Sequence, residues 1–246
     1  EQIYRQHITE VQLKEALHRF TSPLQLQDAK HNSELPEDYS HVAMLYIDIL
    51  NFHDVRHKIE SKELTALLNT YYFYIQQACK LYNVKVENFH GDGVMVLFGI
   101  PHEDSNDNFH AVCAGQLLIE LLQQFNAQRI EQHLPTIQFQ FGIHSGRTLI
   151  SAMQKNNKLS YSVMGDNVNL AARVSRQAPL NKLSITHKVL QASDLEDRIH
   201  FEEASCVFQG DTELTTYTVQ SLNEEYETLL QQQSQHIIDM TIADHV

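Results

Sequence analysis

The chain has 246 residues, of which 42% are hydrophobic and 20% charged, and its formal net charge at pH 7 is −13. This size and apolar content suffice for one large domain with extensions, while the negative charge argues against nucleic acid or an anionic membrane surface as a general partner. No apolar run approaches the roughly 20 residues of a membrane span. Three widely spaced cysteines predict reduced thiols in a cytosolic compartment: Cys79, Cys113 and Cys206.

The first segment, residues 1–39, is predicted to be a helical lead-in followed by a linker. Within residues 1–29, apolar side chains recur at roughly helical spacing, whereas residues 30–39 are polar and contain Pro36. Because the chain starts at Glu1 without a methionine, we expect it to be part of a longer protein. The remainder of that protein could include a sensor or a membrane anchor.

The main domain, residues 40–222, is predicted to begin with a strand that ends in a carboxylate. Residues 42–47 (VAMLYI) have the composition of a buried strand, and Asp48 follows directly. A charge in this place is costly unless it is paired or binds a metal ion. His53 and His57 lie four residues apart, but no further ligand follows at a suitable spacing, so we predict that they are surface histidines.

A second aspartate lies in a predicted hairpin over residues 84–99 (VKVENFHGDGVMVLFG). Residues 84–87 alternate between apolar and polar, residues 94–98 are continuously apolar, and Asp92 stands between two glycines. Glycines in such positions suit a tight turn with positive φ, so Asp92 by itself could be an ordinary turn residue. Two carboxylates at the ends of neighbouring strands, however, repel each other, and Mg²⁺ or Mn²⁺ bound between them most easily relieves this repulsion. Such ions commonly serve phosphoryl chemistry.

The remaining elements follow from their periodicity. We predict helices over residues 61–82 and 105–129, a hairpin of strands 137–143 and 148–153 that turns near residues 145–147, a strand over 182–186, and a final hairpin of strands 201–208 and 214–219. Gly165 and Asp166 break the chain before a helix on which Asn169 and Arg173 share one face, as an ordinary surface pair would. The Gln-rich tail, residues 223–246, is predicted to be either a helix or disordered.

The order β-α-β-β-α-β with antiparallel additions predicts an α/β (α+β) sandwich. Its centre would be ferredoxin-like, with a mainly antiparallel sheet and with the helices packed on one face. Within this order, three motifs together resemble the class III nucleotide cyclase catalytic domain over about residues 17–222: Tyr46-Ile47-Asp48-Ile49-Leu50-Asn51-Phe52, Gly91-Asp92-Gly93 and Gly165-x-x-x-Asn169-x-x-x-Arg173.

The resemblance implies conversion of ATP, or another nucleoside triphosphate, to a 3′,5′-cyclic nucleotide and pyrophosphate. It assigns two divalent cations, Mg²⁺ or Mn²⁺, to Asp48 and Asp92, with the Ile49 carbonyl as an extra ligand. It assigns the ribose to Asn169 and the α-phosphoryl charge to Arg173. It assigns binding of the triphosphate to the residues at the remaining matching positions: Leu50, Asn51, Phe52 and Lys182. In that family the aspartates and the Asn/Arg pair come from opposite subunits, which implies a homodimer.

The chain departs from the family at the positions that read the base and the terminal phosphates. Asn88 and Ser162 match the base-recognition positions, and their hydrogen-bonding groups favour adenine without excluding guanine or a pyrimidine. Gln209 stands where the family has a basic residue. We therefore expect an adenylate cyclase in the cytoplasm, free or as the cytosolic part of a membrane-anchored protein. The alternatives are a cyclase of relaxed base specificity and a degenerate domain that dimerises and binds nucleotide without turnover.

Overall fold

The computed structural model describes residues 38–82, 84, 86–90, 93–100, 103–155, 158–192, 194–209 and 212–243. The predicted lead-in and most of the linker therefore lie outside the described residues. The strands are β1 (Asp38–Ile49), β2 (Val86–His90), β3 (Gly93–Phe98), β4 (Phe139–Lys155), β5 (Lys158–Met164), β6 (Leu183–Thr186), β7 (Ile199–Gln209) and β8 (Thr212–Leu222). The helices are α1 (Phe52–Lys58), α2 (Ser61–Leu81), α3 (Asp107–Glu131), α4 (Asp166–Gln177), α5 (His187–Leu190) and α6 (Glu224–Ala243).

The strands form one sheet in the order β2-β3-β1-β4-β6-β8-β7, and β5 pairs with β4 alone. All pairings are antiparallel except that of β4 with β6. β1 lies between β3 and β4, and its apolar run is buried on both faces, as the composition of residues 42–47 predicts: Leu45 and Ile47 lie in one apolar cluster, and Met44 lies in another. The mixed α/β class with a mainly antiparallel sheet is confirmed.

One face of the sheet carries the large core. Inward side chains of β1 and β4, such as Leu45 and Ile143, pack in one cluster with buried residues of α2 and α3. The C-terminal segment, for which we predicted either a helix or disorder, forms α6 and packs against α3. Its side chains Leu230 and Ile237 enter the same cluster, and Gln233 accepts a 2.8 Å hydrogen bond from the Tyr82 hydroxyl. None of the described helices is both long and apolar enough to cross a membrane.

The other face of the sheet carries α4, which corrects the expectation that all helices pack on one face. Ala171 of α4 is buried with Met44 of β1 and Leu97 of β3, in a cluster separate from the large core. The close approach depends on glycine in β4: a Cβ atom on Gly142 would lie 2.2 Å from the backbone nitrogen of Ser175. A side chain at this position would therefore push α4 away from the sheet.

The predicted hairpin near residues 145–147 is wrong, because β4 continues unbroken from Phe139 to Lys155. Gly146 pairs with Val42 of β1 within this strand rather than forming a turn. A Cβ atom on Gly146 would lie 2.6 Å from the Asn167 side-chain nitrogen, so this glycine also permits the approach of α4. The hairpin of β2 with β3 and the hairpin of β7 with β8 are both present, as predicted.

Candidate active site

Asp48 lies half-buried at the C-terminal end of β1, in register with Gly93 of β3 on one side and Gln140 of β4 on the other. Because side chains alternate along a strand, Asp48 projects from the same face as Met44, which is the face that carries α4. Asp92, the residue before Gly93, lies outside the described residues. The first of the two predicted metal ligands thus stands at the end of β1, and the next strand in the sheet, β3, begins directly after the second ligand in the sequence.

The segment after Asp48 is held in place by hydrogen bonds to the residues that lead into β4. The Leu50 amide donates to the Gln138 carbonyl at 2.9 Å. The Asn51 side chain donates to the Thr136 carbonyl at 3.0 Å and accepts from the Gln138 amide at 2.9 Å. Because it is occupied in this way, the Asn51 side chain does not cap α1, which begins at Phe52. The predicted triphosphate-binding residues therefore form a fixed turn directly after β1, at one end of the sheet.

Lys182 lies at the same end of the sheet as Asp48. The next residue, Leu183, pairs with Phe141 of β4, and Phe141 pairs with Ile47 of β1. Lys182 is therefore two strands from Asp48, and strand spacing puts their backbones on the order of 10 Å apart. Its side chain is half-buried, and its carbonyl accepts from the Phe141 amide at 3.3 Å. A triphosphate bound between the two strand ends would be within reach of its ammonium group.

Asn169 and Arg173 project from the outward side of α4. The helix begins after Gly165, whose φ of +132° favours glycine, and it buries Leu170 and Val174 on its inward side. Asn169 and Arg173 are both exposed. The Arg173 guanidinium donates a hydrogen bond to the backbone carbonyl of Phe208 in β7, which holds the side chain over that strand.

A buried polar network, which sequence reasoning missed, fixes the start of α4 on the sheet. His144 of β4 is fully buried, with Nδ1 2.9 Å from the Thr186 hydroxyl and Nε2 3.1 Å from the Asn167 side-chain oxygen. The Asn167 amide nitrogen donates to the Arg147 carbonyl at 2.8 Å, so its oxygen faces the imidazole. His144 therefore donates from Nε2 and accepts at Nδ1. Burial lowers its pKa to about 4 from the ordinary 6.5, so the ring is neutral near pH 7.

The structure thus brings Asp48, residues 50–52 and Lys182 to one end of the sheet, whereas Asn169 and Arg173 lie on the exposed side of α4. Asn88 lies in β2 and Ser162 in β5, but the side chains of Asn88, Ser162 and Gln209 are not among those that the structure describes. Within the described part of the chain, no group of three or more His, Cys, Asp or Glu side chains is arranged to hold a metal ion.

The family model of the adenylate and guanylate cyclase catalytic domain matches residues 35–221. This chain belongs to that family. Adenylate cyclase 1 of Rhizobium meliloti is 28% identical over 133 residues, which are 54% of this chain and 20% of that protein. The chain spans only 10–30% of the length of the curated relatives that it matches.

Crystal structures of cyclases share the fold of this chain. The guanylyl cyclase Cya2 superimposes with a TM-score of 0.70 at 23% identity and covers 77% of this chain and 96% of its own. The adenylyl cyclase CyaB from P. aeruginosa superimposes with a TM-score of 0.70 at 22% identity and covers 78% of this chain and 98% of its own. The resemblance to class III cyclases is therefore confirmed, and proteins named for both purine bases are among those similar to this cyclase domain.

Proposed function

We propose that this cyclase domain converts ATP to 3′,5′-cyclic AMP and pyrophosphate, with two divalent cations, at sites shared between the subunits of a homodimer. The observation that carries the proposal is the position of Asp48: a half-buried carboxylate at the C-terminal end of β1, followed by a fixed turn at residues 50–52 and two strands away from Lys182 at the same end of the sheet. Family membership supports the reaction type. The base, the ions and the assembly are parts of the proposal.

The donor set fits hard divalent ions. Carboxylate and carbonyl oxygens are the ligands that suit Mg²⁺ and Mn²⁺, and Asp48, Asp92 and the Ile49 carbonyl would hold them. When bound, such ions acidify the ribose 3′-hydroxyl and neutralise charge on the triphosphate. The overall charge of −13 repels a nucleoside triphosphate, so its attraction depends on these ions and on local cations such as Lys182.

The chain's own groups bind and orient the reactants. The turn at residues 50–52 and Lys182 hold the triphosphate, and Asn169 orients the ribose so that its 3′-oxygen lies in line with the α-phosphorus. The 3′-hydroxyl loses its proton to water, the bond from that oxygen to phosphorus forms, and the bond from phosphorus to the pyrophosphate oxygen breaks, so that pyrophosphate leaves. Charge then builds on the α-phosphoryl oxygens, where the Arg173 guanidinium stabilises it, and a cation positioned in this way is worth about three to five powers of ten in rate.

The exposed position of Asn169 and Arg173 supports a shared site. Asn169 and Arg173 are exposed on α4, whereas Asp48 projects from the sheet at the end of β1, and in a shared site Arg173 would exchange its bond to the Phe208 carbonyl for the nucleotide. A two-fold axis can place α4 of one protomer opposite the Asp48 of its partner, and the same operation completes a second, identical site.

Adenine is proposed as the base because Asn88 can donate to its N1 and Ser162 can accept from its amino group. An asparagine amide can also present its oxygen, which would suit guanine, so selectivity should be modest. The purified protein incubated with Mn²⁺ and each of ATP, GTP, CTP and UTP should give cyclic AMP as the main product by mass spectrometry. Cyclic GMP as the main product would overturn the base assignment, and nucleotide binding without a cyclic product would favour the degenerate alternative.

The shared site is tested by mixing two inactive variants. Asp48→Asn and Arg173→Ala subunits are dissociated, combined in equal amounts and allowed to reassociate. Half of the resulting dimers should be mixed, and each mixed dimer should have one intact site and one doubly mutated site. Total activity should therefore return to about a quarter of the wild-type value. Absence of recovery, with mixed dimers verified by mass, would contradict the shared site.

A further inference from the structure

The rings of His53 and His57 converge on the exposed side of α1. Their Nε2 atoms are 3.2 Å apart, their ring centroids are 4.4 Å apart, and the rings meet edge to face at 67°. Residues four apart on a helix are neighbours on one face, so the convergence follows from the spacing. Both histidines are exposed, as predicted, but their convergence goes beyond the sequence-based interpretation of unrelated surface residues. We propose that His53 and His57 form a binding site for one late first-row transition-metal ion, such as Zn²⁺, Ni²⁺ or Cu²⁺, separate from the divalent-ion site proposed at Asp48.

The distance between the two nitrogen atoms fits joint coordination. Imidazole nitrogens bind Zn²⁺ at about 2.0–2.1 Å. Two such bonds whose outer ends are 3.2 Å apart enclose an angle of about 99–106° at the metal, because half the separation divided by the bond length is the sine of half that angle. Tetrahedral coordination requires about 109° and tetragonal coordination about 90°. The separation of the two nitrogen atoms is therefore compatible with joint coordination of one ion.

The surroundings of the pair leave it open to solvent. Val55, on the opposite side of α1, is buried, whereas the His53 side chain is 82% exposed. The Asp54 carboxylate lies 3.8 Å from Nδ1 of His53. The two Nε2 atoms are at hydrogen-bond distance, so without an ion one ring donates to the other, and a bound ion would take the place of that shared proton. Arg56 and Lys58 on the same helix repel a cation, so affinity must come from the two coordinate bonds rather than from the local field.

The ligand type sets the selectivity. Imidazole suits Zn²⁺, Ni²⁺ and Cu²⁺, with Cu²⁺ bound most tightly, whereas Mg²⁺ and Mn²⁺ prefer oxygen ligands. No third His, Cys, Asp or Glu joins the pair among the residues that the structure describes. The remaining positions on the ion would therefore be filled by water or by a ligand from solution. The pair thus differs from the oxygen site at Asp48 in the class of ion that it takes.

The test is a titration of the full chain with Ni²⁺ by calorimetry and with Cu²⁺ by electron paramagnetic resonance. Wild type should bind one ion tightly, with two nitrogen ligands visible in the Cu²⁺ spectrum, and His53→Ala should weaken that event by about tenfold or more. The chain has 15 histidines, so weaker background binding is common to all variants.

The matched control moves one ring without changing the composition. In His57→Lys combined with Lys58→His, the second imidazole moves from four to five residues beyond His53, about 100° further around the helix. This variant should lose the tight event and the two-nitrogen spectrum as His53→Ala does. Unchanged affinity in the exchanged variant, or wild-type binding no tighter than that of His53→Ala, would overturn the proposal. Mg²⁺ at the same concentrations should not compete for the pair, and effective competition would equally contradict it.

Discussion

The two faces of the central sheet are built in different ways. One face is covered by α2 and α3, and its contact is a continuous apolar cluster in which side chains such as Leu45 and Leu118 are fully buried. The other face receives α4 across glycines, through the small Ala171, and through the buried hydrogen bonds of His144. The first contact depends on side-chain volume, whereas the second depends on backbone approach and on paired polar atoms.

This difference separates stability from positioning. Many dispersion contacts stabilise the first face, and the surrounding side chains can shift when one of them changes. The second face permits few adjustments because backbone meets backbone at Gly142. Asp48 projects from this second face, and Asn169 and Arg173 stand on the helix that packs there. The proposed site residues are thus attached to the contact that tolerates the least movement.

The largest effect is expected from Asp48→Asn, which keeps the size of the side chain and removes its charge. If Asp48 holds the ions, the rate of cyclic nucleotide formation should fall by about 10³ or more, which corresponds to about 4 kcal/mol in the activation free energy. The measurement is a steady-state assay with saturating Mn²⁺ and ATP, with folding checked by circular dichroism.

The matched variant on the other face is Leu118→Ala. Removal of this fully buried side chain should lower the free energy of unfolding by about 2–5 kcal/mol and leave kcat per folded molecule within about twofold. A fall in kcat as large as that of Asp48→Asn would show that the two faces are not separable.

A proposed site residue could be predicted from the sequence where a charged side chain interrupts an apolar pattern. Asp48 is conspicuous because it ends an apolar strand, whereas Asn169 and Arg173 by themselves have the pattern of an ordinary surface pair and were singled out only by the family resemblance. The family resemblance added roles to these residues, which composition alone could not supply. Their packing environment was not predictable, since the partner of a strand or helix face is set by residues distant in sequence.

The contact between β4 and α4 was missed because Gly146 was interpreted as part of a turn, while Gly142 was placed in a strand with no helix packed on it. Gly142, His144 and Gly146 alternate along one face of β4, and this spacing of two residues was the available signal. It marks a strand face approached closely by another backbone, not a hairpin. The packing of α6 also had a signal in the sequence, because Leu230, Ser234 and Ile237 recur at helical spacing within the Gln-rich tail. All three side chains are buried in the structure.

Gly142→Ala should give the largest loss of stability among the glycine substitutions. The new methyl group would meet the backbone nitrogen of Ser175 at 2.2 Å and its Cα at 2.6 Å, so α4 would have to move. We expect a loss of about 3 kcal/mol in the free energy of unfolding, measured in urea, together with a lower kcat because α4 carries Asn169 and Arg173. A loss below about 1 kcal/mol would indicate that this contact yields easily.

The buried imidazole of His144 should make stability depend on pH. Its pKa is about 4 in the folded protein against 6.5 when unfolded, so between these values the unfolded chain binds a proton that the folded chain does not. The contribution is therefore fully present above pH 6.5 and is lost as the pH falls towards 4, by about 3 kcal/mol at one unit of pKa per 1.36 kcal/mol. Urea unfolding at several pH values should show this loss in wild type beyond that in His144→Gln. Equal slopes in the two proteins would contradict it.

Gly115→Ala should have the smallest effect, because it places the same methyl group on the tolerant face. The new Cβ atom in α3 would meet Cδ2 of Leu183 at 3.1 Å and Cδ1 of Leu45 at 3.7 Å, and both are ends of side chains that can rotate. In a helix interior alanine is also more favourable than glycine by about 1 kcal/mol, which offsets the cost of the tighter packing. We expect a free energy of unfolding within about 1 kcal/mol of wild type, measured beside Gly142→Ala. If Gly115→Ala proved as damaging as Gly142→Ala, both faces would be limited by close packing, and the greater tolerance of the apolar face would not exist.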